Sequence, residues 1–221
     1  MILAIYCAGG LGKEVLALAK WLNSQNRSWN DIIFVDDVIE DRIIQETKVY
    51  KFEEIKDIIE PIEFVIATGE PKDRETVYKK IKEAGYQMGK VISLYTTIFP
   101  GAKIGEGSII NGDVLISADA EIGNNIYISA GVIIGHNVKL LENSVISMRC
   151  FIGGYTELGN RVYLAPGAML KDRIHVGDDS IVSMGAIVLR NVKEKSIMMG
   201  NPAKCIGKNE RGTVFKLNPY S

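Results

Sequence analysis

An α/β domain of the Rossmann-like, parallel-sheet kind followed by a parallel β-helix is the fold class predicted by two observations on this chain of 221 residues. From Ile98 to Val188 every sixth residue is Ile, Leu or Val, and the residue four places after each is small or β-branched, with no insertion or loss up to Lys193. Ahead of that register, from Ile2 to Ala84, apolar strand-like runs alternate with segments of helical periodicity. A helix returns apolar residues every three to four positions and a strand every two, so a period of six belongs to neither alone. It fits a solenoid in which each hexapeptide gives one short strand and one turn. Three hexapeptides make a coil, and each aliphatic stacks on its counterpart eighteen residues on.

Glycine directly after the aliphatic residue, as at Gly105, Gly123, Gly135, Gly153, Gly159 and Gly177, is expected at corners whose backbone is left-handed or crowded. The second inward position is small because three faces converge on a narrow axis. The register divides the chain into an α/β domain over 1–90, a β-helix over 91–206 and a tail over 207–221. Met88–Tyr95 reads as a connector. In the tail, Thr213, Phe215 and Leu217 alternate in the manner of a strand, although a loose end fits as well.

The first domain begins with an apolar strand over Ile2–Tyr6, the turn Cys7-Ala8-Gly9-Gly10-Leu11-Gly12 and a helix with Val15, Leu18, Ala19 and Leu22 on one face. A second strand, Ile32–Val35, ends in Asp36-Asp37. A short strand at Lys48–Tyr50, a helical segment Phe52–Ile59, a strand Ile62–Thr68, the turn Gly69-Glu70-Pro71 and a helix Lys72–Ala84 follow. Alternation of this kind predicts a parallel sheet with its ligand edge at the carboxyl ends of the strands. Gly9, Gly10, Gly12, Asp36, Asp37 and Gly69 all fall there. A glycine turn opening a helix offers free N–H groups to an anion, but Gly-Gly-x-Gly also serves a tight turn with no ligand.

Composition narrows the function. Hydrophobic residues make up 47 % and charged residues 24 %, and Lys+Arg 26 against Asp+Glu 27 gives a net charge of −1, which advertises no nucleic-acid partner. No uncharged apolar run is long enough to span a bilayer, and Met1–Ala8 lacks the basic leader of a signal peptide, so a cytoplasmic protein is expected. Two histidines and three dispersed cysteines give no metal-ligand spacing. Cys7 and Cys150 read as small buried hydrophobes. His136, in Ile134-Gly135-His136-Asn137, lies in a turn and points out of the coil, where an imidazole suits a general base. The same position is also compatible with an ordinary surface histidine, and His175 reads as surface.

Taken together, the hexapeptides, the Cys7–Gly12 turn with Lys13, Asp36-Asp37, Ile66-Ala67-Thr68-Gly69 with Arg74, and Gly200-Asn201-Pro202-Ala203-Lys204 resemble a known family. It is the family of hexapeptide acyltransferases that includes sialic acid O-acetyltransferases and UDP-4-amino-sugar (bacillosamine-type) N-acetyltransferases. The resemblance runs to about residue 206. It implies a left-handed β-helix and a homotrimer with sites between subunits. It implies acetyl-CoA as co-substrate, and a nucleotide-linked amino sugar held at Gly9, Gly10, Gly12, Asp36, Asp37 and Gly69. By the same resemblance His136 is the general base, the Gly154 N–H stabilises the oxyanion, Ala165, Pro166, Gly167, Met184, Gly185 and Ala186 line the coenzyme groove, and Lys204 lies near its phosphates.

Two positions depart from the family pattern. The carboxylate that usually follows the catalytic histidine is Asn137 here, which orients the ring without lending charge and leaves room for another partner such as Glu142. One repeat on, a second histidine is replaced within Val145-Ile146-Ser147-Met148-Arg149-Cys150, and Arg149 offers a cation to the substrate side. The activity expected is acetyl transfer to a sugar amine in bacterial surface-glycan biosynthesis. The alternatives are O-acetylation of sialic acid or another sugar, and a trimeric nucleotide-sugar-binding module without catalysis.

Overall fold

The computed structural model describes residues 1–215, so Leu217 lies outside the described residues. Strands β1 (Ile2–Tyr6), β2 (Asp31–Val35), β3 (Ile43–Ile44), β4 (Thr47–Tyr50), β5 (Ile62–Ile66) and β6 (Gln87–Met88) form one sheet in the order β3-β4-β2-β1-β5-β6. β1 is its centre, pairing in parallel with β2 and β5 along its whole length. Helices α1 (Gly10–Asn26) and α2 (Pro71–Glu83) complete the domain. The segment at Phe52–Asp57 is a 3-10 helix. The short strands β3 and β6 carry too few residues to show a period, which is why the sequence reading passed over them.

The first strand of the solenoid lies one hexapeptide before Ile98. Val91–Ile92 (β7), read above as connector, pairs in parallel with Ile109–Ile110 and is the first strand of the first coil. Ile92 in fact stands six residues before Ile98. From there each two-residue strand pairs with the strand eighteen residues on, as in Ile133↔Phe151 and Ile134↔Ile152. From Ile104 onward the aliphatic of each unit turns inward into one continuous core, whereas Ile98 is 43 % exposed. After the last coil, Ser196–Met199 pairs in parallel with Ile181–Val182, and Lys204–Lys208 pairs antiparallel with it, crossing the expected boundary at residue 206.

The corners use their residues differently from the expectation. The glycines after each aliphatic are not left-handed. They are crowded: a Cβ at Gly105 would lie 2.5 Å from the Gly123 carbonyl carbon, and one at Gly135 would lie 2.7 Å from Gly154 N. Positive φ falls two places later in every unit from Gly101 to Gly185, at Asp113, Asn125, Asn137 and Arg149 among others. Asn and Asp tolerate that region through local hydrogen bonds, and glycine adopts it without strain.

The three faces have three fates. On the first face, Val91, Ile109, Tyr127, Val145 and Tyr163 are buried against Val15, Leu16, Ala19 and Leu22 of α1. On the second, the outward Ile133, Phe151 and Met169 form an apolar stripe, 44, 41 and 45 % exposed. The third carries an outward ladder of Lys103, Glu121, Lys139, Glu157 and His175. The two domains are tied by Arg74, which is fully buried. Its guanidinium donates to Ile66 O (2.6 Å), Thr68 O (3.1 Å), Asn125 O (3.0 Å) and Asn125 Oδ1 (2.8 Å). Desolvation lowers the Arg74 guanidinium from its ordinary value to about 9, which leaves it charged at neutral pH. Among the described residues no helix is long and apolar enough to cross a membrane.

Candidate active site

His136 and Asn137 occupy the corner between the apolar and charged faces, after strand Ile133–Ile134 and before Lys139–Leu140. His136 is exposed, as its place in the register requires. Asn137 has φ 56°, and its Oδ1 lies 3.0 Å from His136 Nδ1. An amide oxygen only accepts, so this contact puts the ring proton on Nδ1 and leaves Nε2 free to accept a proton. One coil further, Tyr155 stands edge-on to the imidazole, with centroids 5.0 Å apart and planes at 87°. The Arg173 guanidinium lies over the Tyr155 ring at 4.5 Å. Tyr155 and Arg173 follow Asn137 at intervals of eighteen, so the coil register could have flagged both.

Gly154 departs from its expected role. Its N–H donates to Asp172 Oδ1 at 2.9 Å and is already engaged by a carboxylate, so it is not available to a developing oxyanion. The glycine nevertheless lies close under the imidazole, since a Cβ there would be 3.0 Å from both Nε2 and Cε1 of His136. Glu142 is excluded as a partner for His136: it lies at the corner between the charged and covered faces, where its carboxylate accepts from Asn124 Nδ2 at 3.0 Å. Arg149 occupies the third corner, between the covered and apolar faces, and within one protomer is not brought to His136.

The residues expected along the coenzyme groove share that third corner with Arg149. Pro166 and Gly167 stack beneath Met184 and Gly185 through Gly185 N–H donating to Pro166 O at 3.0 Å, and both glycines have positive φ. Met184 is exposed and Ala165 is buried. Ala186 corrects the expectation: its side chain is part of the solenoid core and cannot line a groove. Lys204, with Leu189, Arg190, Pro202 and Ala203, borders a cavity of about 470 Å³ at the end of the helix. Cys150 is core, with its thiol pushed up to about 12 by burial, so it is no nucleophile.

In the first domain the strand order puts the switch point between β1 and β5, at whose carboxyl ends stand the turns of Gly9 and Gly69. Gly12 is obligatory, since a Cβ there would collide with the Cys7 carbonyl. Gly9 and Gly10 face open space, and the N-terminus of α1 has no side-chain cap, so its N–H groups are accessible. Asp36 corrects the expectation of a free ligand-binding carboxylate. It is buried and accepts from the N–H groups of Ala8, Val38 and Ile39 at 2.9 Å each, fixing the loop that follows β2.

Asp37 is more exposed and belongs to a cluster missed in the sequence. It accepts from the Tyr6 hydroxyl, from Lys80 Nζ at 2.6 Å and from the Phe52 N–H at 2.8 Å. Burial works to raise the Asp37 carboxyl, but the hydrogen bonds from Lys80, Tyr6 and Phe52 outweigh it and hold it below its ordinary range. Burial and the Asp37 charge together push the Tyr6 phenol far up, so it stays protonated. Tyr6 and Lys80 lie 74 positions apart, with no periodicity linking them.

With this geometry in hand, the comparisons with known proteins are informative. Residues 2–81 match the family described as PglD N-terminal domain. The acetyltransferase domain of PglB from Neisseria gonorrhoeae superposes with a TM-score of 0.85 at 23 % identity, over 93 % of this chain and 99 % of that one, and it has also been solved in complex with acetyl coenzyme A. PerB from Caulobacter crescentus, in complex with CoA and GDP-perosamine, gives 0.85 at 23 % identity over 94 % and 98 % of the two chains. WeeI from Acinetobacter baumannii gives 0.87 at 23 % identity over 93 % and 100 %. Residues 2–81 are therefore similar to the PglD N-terminal domain, and the chain as a whole has the fold of these structures, a Rossmann-like α/β domain joined to a left-handed parallel β-helix.

Proposed function

We propose that the protein transfers an acetyl group from acetyl-CoA to the amino group of a nucleotide-linked amino sugar in glycan biosynthesis. The observation that carries this reading is the His136–Asn137 contact, which holds an exposed imidazole at a fixed orientation and, in the neutral ring, puts the accepting lone pair on Nε2. In the reaction the amine nitrogen bonds to the thioester carbonyl carbon, Nε2 takes the proton the nitrogen loses, and the carbon–sulfur bond breaks. The coenzyme leaves as its thiolate and is reprotonated by the imidazolium. An amine is a better nucleophile than a hydroxyl, so a neutral orienting group such as Asn137 suffices, which favours N- over O-acetylation. The likeness to structures with CoA and GDP-perosamine bound supports both substrates.

The residues suited to the coenzyme and the catalytic histidine lie at different corners of one triangular coil, with the apolar stripe of Ile133, Phe151 and Met169 between them. A homotrimer packed about that stripe removes apolar surface from water and sets one subunit's His136 beside a neighbour's glycine-opened corner. The test is thiol release from acetyl-CoA by the purified protein with UDP-, dTDP- and GDP-linked amino sugars, and with sialic acid. Release with one amino sugar is expected. Release with sialic acid alone would move the activity to a hydroxyl, and release with none would leave only the binding module.

A further inference from the structure

The segment after the solenoid runs back across the junction of the two domains. Asn209 Nδ2 donates to Asp179 O in the last coil at 3.0 Å, and Lys72 Nζ of α2 donates to Arg211 O at 3.0 Å. The N–H groups of Val214 and Phe215 then donate to the buried carboxylate of Glu70, at 2.9 to 3.0 Å. Among the described residues no cation pairs with Glu70, so these main-chain donors are what satisfy it, and losing them would leave a buried charge unpaired. Val214 packs into the core between the domains. The Phe215 ring stands edge-on to Tyr163, with centroids 5.3 Å apart, and its Cε2 lies 3.6 Å from where a Cβ on Gly69 would sit. Phe215 remains 54 % exposed. Gly69 follows β5 at the switch point of the sheet, so an aromatic ring with open surface stands at the carboxyl edge where such sheets take ligands.

We infer that residues 213–215 form a wall of the nucleotide-sugar site, in which Phe215 contacts the base of a nucleoside diphosphate and Glu70 is the residue that positions it. This rests on the reading of that edge as nucleotide-sugar-binding. The ring lies beside Gly69, and a planar ring held by main-chain anchors meets a base at small entropic cost. The experiment is calorimetric titration of the full chain with UDP, dTDP and GDP, and separately with acetyl-CoA. Phe215→Ala should weaken binding of the preferred diphosphate by about 3–10-fold, the worth of one aromatic contact. Phe215→Trp should retain binding, Glu70→Gln should weaken it, and acetyl-CoA affinity should stay constant throughout. Equal or tighter diphosphate binding by Phe215→Ala would overturn the wall while the nucleotide reading stands. A wild-type protein that binds none of the three diphosphates would overturn the nucleotide reading, and the wall with it.

Discussion

The imidazole of His136 rests one coil above the Cα of Gly154, so close that a single added methyl at 154 would meet Nε2 and Cε1 at 3.0 Å. Gly154 has ordinary φ, so alanine there strains only contacts with His136, its ring and, at 3.3 Å, its carbonyl oxygen. Gly154→Ala should fold and bind both substrates but turn over up to about 10²-fold more slowly, because small displacements of a catalytic group cost that much. Steady-state kinetics would check it, and unchanged kcat would remove His136 from the chemistry.

Asn137 orients the ring without charge, so Asn137→Asp tests what a carboxylate adds. The backbone at 137 is left-handed, which Asp tolerates. A negative group beside Nδ1 favours the protonated imidazole, so the free base emerges only at higher pH. The acidic limb of the kcat/KM profile should therefore move to higher pH by about 1 unit or more. A profile that stays in place would mean that Asn137 does not contact the working base.

Phe151 lies mid-stripe on the apolar face. Phe151→Asp would put a charge at the centre of the proposed trimer contact while leaving the inward Ile152 untouched. Light scattering should report a smaller assembly than wild type, and turnover should fall with it. A variant of unchanged mass would move the interface elsewhere.

Arg74 satisfies carbonyl oxygens from both domains. Arg74→Met keeps much of the volume but leaves those acceptors without a donor, so stability in urea should drop by about 3 kcal/mol. Loss below about 1 kcal/mol would show that water replaces the guanidinium.

The Asp37 carboxyl is held below its ordinary value, so its contribution is full above 3.8 and is lost as pH falls through the lower folded value. The difference in thermal midpoint between wild type and Asp37→Asn should accordingly be constant near neutrality and shrink as the solution is acidified below about pH 4. A difference independent of pH would assign the effect to packing instead.

What the sequence disclosed follows from which interactions repeat. The inward aliphatics recur every six residues because each must fill the same space, so their positions, the outward place of His136 and the buried place of Cys150 were legible from the register. Ala186 was misassigned to a groove although that same register turns it inward. Single long-range contacts leave no period. The contact of the Gly154 N–H with Asp172 does span one coil of eighteen residues and was within reach of the register, whereas nothing in the spelling announces that Glu70 holds residues 214 and 215. The Asp36 carboxylate looked free for the same reason, since its donors come from two loops 28 or fewer positions away without regular spacing.

The uninterrupted register makes the solenoid a coordinate system in which six residues turn the chain by one face and eighteen raise it by one storey. An inserted hexapeptide upstream of His136 would leave every aliphatic pointing inward, yet would turn the histidine, together with Phe151 and Met169 after it, by one face relative to the first domain. A whole inserted coil would keep it on the same edge and only lift it away from the first domain. Length changes in this chain are thus silent for the core and decisive for the site, in steps that can be counted before any variant is made.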